Sequence, residues 1–175
     1  MVMQHPVTTE VGNASAVDEI LKAVEVVGEQ TIWFWPNNDA GTNDVSKAIR
    51  RYREKNRLAN SAGIRFVTDV LPEDFISLLS RAAVLVGNSS AGIKEGAYLG
   101  TPVVNIGSRQ MGRLRAPNVC DAKPRARDIE KAIRKQLSHG RYASSKIYYR
   151  PDTSRRITDL LVKNSGYYQK KFYDR

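Results

Sequence analysis

AAVLVGNSSAGIKEGAYLGTPVVNIGSRQMGR, residues 82–113, is the stretch that decides the fold of this chain. It contains two short apolar runs, 83–86 and 103–106, of the kind that form strands buried on both faces of a parallel sheet. Between them the sequence predicts a helix over 91–99, because Gly100 suits the left-handed residue that ends many helices. Strand, loop, helix and strand in this order predict one unit of an α/β sheet.

The loop GNSSAG, residues 87–92, joins the first of these strands to the predicted helix. Ser89 and Ser90 can cap the helix, and a helix N-terminus at the carboxyl end of a strand is a common place for phosphate. The loop has neither the lysine of a P-loop nor the G-x-G-x-x-G of dinucleotide sites. By itself it fits a plain capped turn and a diphosphate site equally well. Glu95, one turn later, is either a ligand of ribose hydroxyls or a solvated charge.

Strands and helices alternate along the whole chain. Strands are predicted at 1–4, 31–35, 64–68 and 118–121, and further helices at 15–27, 45–52, 72–79, 125–137 and 151–163. The fold class that follows is α/β, a doubly wound parallel sheet of the Rossmann-like kind. Residues 1–163 are predicted to form this domain, and 164–175 a basic, mobile tail. The three aromatic residues of TIWFW (31–35) are assigned to the core, and Cys120 is expected to be a buried, inert thiol.

Composition and charge narrow the possible functions. The chain has 175 residues and a net charge of +10, and residues 1–46 carry one basic and seven acidic side chains. The positive excess therefore lies in 47–175, which suits a polyanionic ligand or nucleic acid. No RNA-binding pattern accompanies it, which disfavours nucleic acid. A single cysteine, no membrane-length apolar run and no signal-peptide pattern predict a cytoplasmic protein that is not in a membrane. No metal-ligand cluster is visible, and no cofactor is predicted.

Two earlier loops also follow predicted strands, so they should lie at the same edge of the sheet. His5, in HPVTTE (5–10), could transfer a proton or donate to a phosphate oxygen, although a single histidine is more often structural. Asn37 and Asp39, in PNNDAG (36–41), could contact a sugar or a base, or could stabilise an Asx turn.

The loop GSRQMGRLR, residues 107–115, follows the second strand of the opening stretch and contains three arginines. A planar guanidinium suits bidentate contacts to phosphate. The alternative is a basic surface loop. Because a phosphate-type loop lies beside it, we predict that Arg109, Gln110 and Arg113 contact the substrate.

Together, five segments resemble the C-terminal half of the UDP-N-acetylglucosamine 2-epimerases. They are HPVTTE, PNNDAG, GNSSAGIKE (87–95), GTPVVNIGSRQMGR (100–113) and SKIY (145–148). Each is weakly specific alone, but their order and spacing make the match specific across essentially the whole chain. The forms PNNDAG and GNSSAG resemble the hydrolysing branch of the family, which releases N-acetylmannosamine and UDP.

The resemblance implies a two-domain GT-B fold, in which this half holds UDP and the substrate UDP-N-acetylglucosamine lies between the domains. It implies that Ser89 and Ser90 are diphosphate ligands and that Glu95 binds the ribose. Arg109 and His5 would lie against the diphosphate. These roles come from the matching positions of the family and add to what the loops suggest by themselves.

The resemblance also implies that Asn37 and Asp39 line the cleft and that the backbone around Val70 meets uracil. In the family, UDP is eliminated across the C1–C2 bond to give a glycal, and water then adds with inversion at C2. The carboxylates for proton transfer at C2 belong largely to an N-terminal domain, which we expect this chain to lack. The chain alone is therefore expected to bind UDP weakly without turnover. The family also suggests a homodimer.

Two other functions stay open on the sequence alone. A GT-B glycosyltransferase with a nucleotide-sugar donor would share the fold and the ribose carboxylate, and would differ only in loop detail. A nucleic-acid-binding module would use the basic surface and bind with a steep dependence on salt.

Overall fold

Six parallel strands form the centre of the molecule. The computed structural model describes residues 1–9, 13–56 and 63–164. The strands within them are β1 (Val2–Met3), β2 (Thr31–Phe34), β3 (Ile64–Val67), β4 (Leu85–Gly87), β5 (Val103–Ile106) and β6 (Val119–Ala122). Their order across the sheet is β3-β2-β1-β4-β5-β6, and all neighbours are parallel. The predicted α/β fold class is confirmed.

Helices cover both faces of this sheet. In the described residues they are α1 (Asn13–Val27), α2 (Thr42–Lys55), α3 (Pro72–Arg81), α4 (Ser90–Ile93), α5 (Glu95–Leu99), α6 (Ala126–His139) and α7 (Thr153–Lys163). Buried side chains of α1, α2 and α6 share one core cluster with the sheet, whereas Leu79 of α3 belongs to a second cluster on the other face. The sheet is therefore wound on both sides, as the alternation of elements predicts.

The two apolar runs of the opening stretch divide their side chains between these clusters. Val86 and Val104 contribute to the larger cluster, and Leu85 and Val103 to the smaller one. Successive strand residues point to opposite faces, so burial on both faces needs an uninterrupted apolar run. Each such side chain contributes about 1.5–3 kcal/mol relative to an exposed one.

The helix predicted over 91–99 is broken at Lys94, whose φ of −96° and ψ of −75° leave regular helical geometry. The result is one turn, α4, followed by the five-residue α5. The break accompanies close packing on β5, since a Cβ on Gly92 would lie 2.8 Å from Cγ1 of Val103. Gly100 ends α5 with a φ of +67°, as predicted.

Three finer predictions differ from the structure. Helix α1 begins at Asn13, two residues before its predicted start at residue 15. Cys120 is half-buried, not buried. The first two aromatic residues of TIWFW are buried as predicted, but Trp35 is only half-buried. All three depend on tertiary contacts that the local sequence does not encode.

After α6 the chain returns along α5 through residues 141–149, here called the return segment. Its Tyr142 donates a backbone hydrogen bond to the carbonyl of Gly100 at 2.9 Å. The chain then leaves for α7, where no residue is buried. The predicted mobile tail begins at Asn164, and residues 165–175 of it lie outside the described residues.

Candidate functional site

The order of the strands indicates where a ligand fits. From β1 the chain proceeds to β2 and β3 on one side, whereas β4 to β6 extend on the other side. In open α/β sheets, ligands bind beyond the carboxyl ends of the strands at the point where this direction reverses. Here that point is the crevice between the loops that follow β1 and β4.

A reciprocal pair of hydrogen bonds joins these two loops. The backbone N–H of His5 donates to Oδ1 of Asn88 at 2.8 Å, and Nδ2 of Asn88 donates to the carbonyl of His5 at 2.8 Å. Asn88 is fully buried and His5 is 5% exposed. The Asn13 side chain holds Val7 in the same way, at 2.7 and 3.3 Å. The loop after β1 is therefore fixed at two points.

The loop after β5 reaches the same crevice. Nε2 of Gln110 donates to the carbonyl oxygen of Asn88 at 2.7 Å, and Nη1 of Arg109 donates to the same oxygen at 3.2 Å. Gln110 is almost completely buried. Arg115 supports it from the other side, because its guanidinium donates to the Gln110 carbonyl at 3.0 Å and to the carboxylate of Asp121 at 2.6 Å.

The loop after β2 contributes a carboxylate. Oδ2 of Asp39 lies 3.7 Å from Nη2 of Arg109, and both side chains are partly exposed. The backbone N–H of Thr42 donates to the Asp39 carbonyl at 3.0 Å, and the Thr42 hydroxyl donates to the carbonyl of Asn37. A partly exposed ion pair of this length is weak. An incoming anion can therefore replace Asp39 as the partner of Arg109.

The surroundings of His5 favour the neutral form of its imidazole. Burial lowers the pKa of His5 below its ordinary value, and the positive charge of Arg109 lowers it further, while Asp39 acts in the opposite direction. Nδ1 of His5 is buried without a hydrogen-bond partner in the described part of the chain. A neutral imidazole has one donor and one acceptor nitrogen. It can therefore donate to a phosphate oxygen or accept a proton.

We expect the free energy of unfolding to fall as the pH drops below about 6.5, the ordinary pKa of histidine. The pKa of His5 is lower in the folded than in the unfolded chain. Between these two values the unfolded state binds the proton first, so stability is lost as the pH falls. Urea unfolding between pH 7.5 and 5 should show a steeper loss for the wild type than for His5→Gln. Parallel curves would contradict a neutral, buried His5.

The serines lie beside this cluster. Oγ of Ser89 accepts a hydrogen bond from the N–H of Ala91 at 3.3 Å and so caps α4, and Ser90 is the first residue of that helix. A single turn carries little of the dipole of the predicted nine-residue helix. The positive charge at this edge therefore has to come mainly from Arg109.

Four predicted ligands make none of the contacts that join the crevice in the described structure. Asn37 and Arg113 are exposed in their loops. Val70 follows β3, and its N–H donates to the carboxylate of Asp69 at 2.9 Å. Glu95 is exposed at the start of α5. The cluster that the structure does bring together is His5, Asp39, Arg109 and Gln110, with Ser89 and Ser90 next to Asn88 in the chain.

A groove beside Glu95 is lined by aromatic side chains. The rings of Tyr98 and Tyr149 stack with centroids 4.9 Å apart and an interplanar angle of 25°. The hydroxyl of Tyr148, in SKIY, donates to the carbonyl of Leu114 at 2.8 Å. This bond connects the return segment to the loop after β5, so SKIY supports the arginine loop from outside the crevice.

Two contributions are missed by the sequence reasoning. Asn88 is treated there only as a turn residue, although a polar residue directly after a buried strand at the switch point is a usable signal. Arg115 is grouped there with the phosphate-type arginines, but it pairs with Asp121. Partial burial raises the pKa of Asp121, yet hydrogen bonds from Arg115 and Asn105 outweigh this and hold the pKa below its usual value.

The described residues contain neither a cluster of metal ligands nor a membrane-length apolar helix. No group of three or more His, Cys, Asp or Glu side chains in residues 1–9, 13–56 and 63–164 is arranged to hold a metal ion. Over the same ranges, every helix is too short or too polar to cross a bilayer.

Known proteins resemble this chain over most of its length. The sequence model of a family described as UDP-N-acetylglucosamine 2-epimerase matches residues 1–162. A UDP-N-acetylglucosamine 2-epimerase of Neisseria meningitidis serogroup B is 33% identical over 152 residues, which are 86% of this chain and 38% of that protein. A UDP-N,N'-diacetylbacillosamine 2-epimerase (hydrolyzing) of Legionella pneumophila is 30% identical over 92% of this chain and 41% of that protein. The chain thus spans about four-tenths of the length of these curated relatives.

The fold has a counterpart among solved structures. The crystal structure of the Methanocaldococcus jannaschii UDP-GlcNAc 2-epimerase in complex with UDP-GlcNAc and UDP matches with a TM-score of 0.68. The match covers 93% of this chain and 45% of that chain at 13% identity, so it supports the fold. Family membership rests on the sequence match over residues 1–162. On that evidence, the chain belongs to the UDP-N-acetylglucosamine 2-epimerase family.

Proposed function

We propose that this chain is the nucleotide-binding half of a hydrolysing UDP-N-acetylglucosamine 2-epimerase. The observation that carries the proposal is the meeting of His5, Asp39 and Arg109 in the switch-point crevice of a chain from this family. The names of the two relatives above share UDP and a 2-epimerase reaction but differ in the sugar. UDP is therefore the part of the substrate that we assign to this chain.

In the proposed complex, the diphosphate replaces Asp39 as the partner of Arg109. The weak 3.7 Å pair between them makes this exchange favourable, because phosphate accepts a bidentate guanidinium. The hydroxyls of Ser89 and Ser90 and the imidazole of His5 are the neighbouring donors. These groups have the right chemistry for an anion and lie on loops that are already held in place.

The remaining predicted ligands are assigned around the same edge of the sheet. Glu95 accepts hydrogen bonds from the ribose, and the backbone around Val70 meets uracil. Asn37 lines the cleft, and Arg113 supplies a second cation from the loop after β5. The part of the site that contacts the sugar would come from a further domain.

The proposed role of this chain in the reaction is to stabilise the negative charge that develops on the leaving group. In the proposed reaction UDP leaves across the C1–C2 bond to give a glycal, and water then adds with inversion at C2, releasing N-acetylmannosamine. The departing diphosphate gains negative charge, and Arg109 is preorganised to stabilise it; one such donor typically contributes about 100- to 1000-fold in rate. Carboxylates of a further, N-terminal domain would move the proton at C2. The extra length of the relatives gives room for that domain.

Two wider assignments complete the proposal. The single cysteine suits a reducing compartment, so we place the activity in the cytoplasm. A homodimer is expected from the family resemblance, and size-exclusion chromatography with light scattering tests it directly.

Calorimetric titration with UDP, UMP and uridine tests the proposed function. We expect weak, saturable binding of UDP, weaker binding of UMP, and the weakest binding of uridine, because the diphosphate supplies the charged contacts. Incubation of the chain with UDP-N-acetylglucosamine should release no N-acetylmannosamine. Equal affinities for UDP and uridine would show that the chain does not bind the diphosphate. Turnover by this chain would contradict the assignment of the C2 chemistry to a further domain. DNA and RNA serve as competitors that should leave the UDP isotherm unchanged.

A further inference from the structure

We propose that Asn88 is a positioning residue of the UDP site, which sets His5 and Arg109 at fixed places in the crevice. This inference rests on the proposed function, because it gives Asn88 a purpose in binding UDP. Asn88 is fully buried, so it acts through its neighbours and does not touch the ligand.

Hydrogen bonds connect Asn88 to two loops of the site and to the end of β1. Its side chain makes both bonds of the pair with His5, each 2.8 Å long. Its carbonyl oxygen accepts from Gln110 at 2.7 Å and from Arg109 at 3.2 Å. Its backbone N–H donates to the carbonyl of Met3 at 3.1 Å. One residue therefore contacts the chain after β1, the chain after β5 and the end of β1 itself.

The pair with His5 requires an amide. Oδ1 of Asn88 accepts and Nδ2 donates, so one side chain must supply an acceptor and a donor to the same backbone residue. Aspartate would supply only acceptors and would place a charge in a buried site, whereas alanine would supply neither group. Alanine therefore removes both bonds, whereas aspartate removes the bond to the His5 carbonyl and places an oxygen against that carbonyl.

The bond to Arg109 fixes the cation before the ligand arrives. A free arginine side chain has many rotamers, and ordering it on binding weakens affinity. In the described structure the guanidinium donates a hydrogen bond to the Asn88 carbonyl and lies 3.7 Å from the carboxylate of the partly exposed Asp39. When a diphosphate takes the place of Asp39, the Asn88 carbonyl is the contact that remains. That oxygen belongs to the backbone, so the side-chain pair with His5 acts on Arg109 by holding this carbonyl in place, and it thereby preorganises the charge that binds the diphosphate.

The test compares Asn88→Ala and Asn88→Asp with the wild type in two measurements. The first is the ratio of UDP to uridine affinity, which isolates the diphosphate contacts and should fall about tenfold or more. The second is the pKa of His5 by NMR, which should rise toward its ordinary value as the imidazole loses its fixed, buried place. A purely structural role would lower the melting temperature while leaving both quantities as in the wild type.

Asn118→Ala is the matched control. Asn118 is equally buried and also bonds two backbone carbonyls, those of Gly92 at 3.3 Å and Thr101 at 2.8 Å, but it makes none of the bonds to His5 or Arg109 described above. We expect it to lose stability while keeping the wild-type affinity ratio and the wild-type pKa of His5. An Asn88 variant that behaves like Asn118→Ala in these measurements would overturn the proposal.

Gln110→Met covers the case in which the Asn88 variants do not fold. It removes the 2.7 Å bond to the Asn88 carbonyl and keeps the pair with His5. The affinity ratio should fall and the pKa of His5 should stay unchanged; an unchanged ratio would then overturn the proposal. If the wild type fails to bind UDP, the proposed function fails, while the His5 titration still decides whether Asn88 positions that side chain.

Discussion

Replacing Arg109 with alanine is expected to weaken UDP binding about 10- to 100-fold, which corresponds to about 1.4–2.7 kcal/mol. Arg109 is the cation that the structure places in the crevice, with one nitrogen on the Asn88 carbonyl and another 3.7 Å from Asp39. Its removal takes away the guanidinium that lies beside both Asn88 and Asp39, so the diphosphate loses one charge-assisted donor. Calorimetric titration of both proteins with UDP measures the change. Arg109→Lys should recover only part of the affinity, because lysine keeps the charge without the planar fork.

Arg81→Ala is the control for the loss of one positive charge. Arg81 is the last residue of α3, at the opposite edge of the sheet, and is exposed. UDP affinity should stay within about twofold of the wild type, since exposed charges farther apart than the Debye length of about 8–10 Å are largely screened. If Arg109→Ala and Arg81→Ala bind UDP with the same affinity, Arg109 does not contact UDP.

Gly87→Ala is expected to destabilise the fold by at least about 3 kcal/mol. Gly87 has a φ of +129°, and a Cβ there would lie 2.1 Å from the carbonyl oxygen of Met3 and 2.6 Å from its carbonyl carbon. Both atoms belong to the backbone of β1, so relief requires the two central strands to separate. Urea denaturation followed by circular dichroism measures the loss, and a variant that is already unfolded without urea meets the expectation.

Gly28→Ala is the control that separates the backbone strain of a positive φ from the steric clash of an added Cβ. Gly28 also has a positive φ, +76°, but a Cβ there would have no heavy atom of the described residues within 4 Å, apart from those of its chain neighbours. It should lose only the roughly 1–2 kcal/mol of a left-handed non-glycine residue. Equal losses for the two variants would show that the approach of β1 to β4 does not govern the requirement for glycine at position 87.

Local sequence was sufficient for most of the fold. The strand at Val103–Ile106 matches its apolar run, and Gly100 ends the preceding helix as its residue type indicates. The break at Lys94 was not predictable, because periodicity over 91–99 reports a helical face and not the distance to β5. That distance is set by Gly92 against Val103, a contact between separate elements. Helix boundaries that depend on such contacts cannot be predicted from the sequence of one segment alone.

The place of the candidate site was predictable from the topology, but the hydrogen bonds within it were not. Loops that follow parallel strands meet at one edge, so the proximity of Asp39 to Arg109 follows from topology. The pair between His5 and Asn88 joins residues 83 positions apart, and no local pattern specifies which polar groups will meet. Likewise, the pairing of Arg115 with the carboxylate of Asp121 depends on how the fold brings the two together.

The central place of β1 has a consequence for how the chain folds. β1 comes first in the sequence, yet it lies between β2 and β4, and its pairing with β4 closes a loop of more than 80 residues. Contacts of such large sequence separation form slowly, because the chain loses the entropy of loop closure before the contacts can stabilise it. Strands β2 and β3 can pair on one side and β4 to β6 on the other before the two halves join. In refolding, helical signal should therefore recover before the crevice regains its ability to bind UDP.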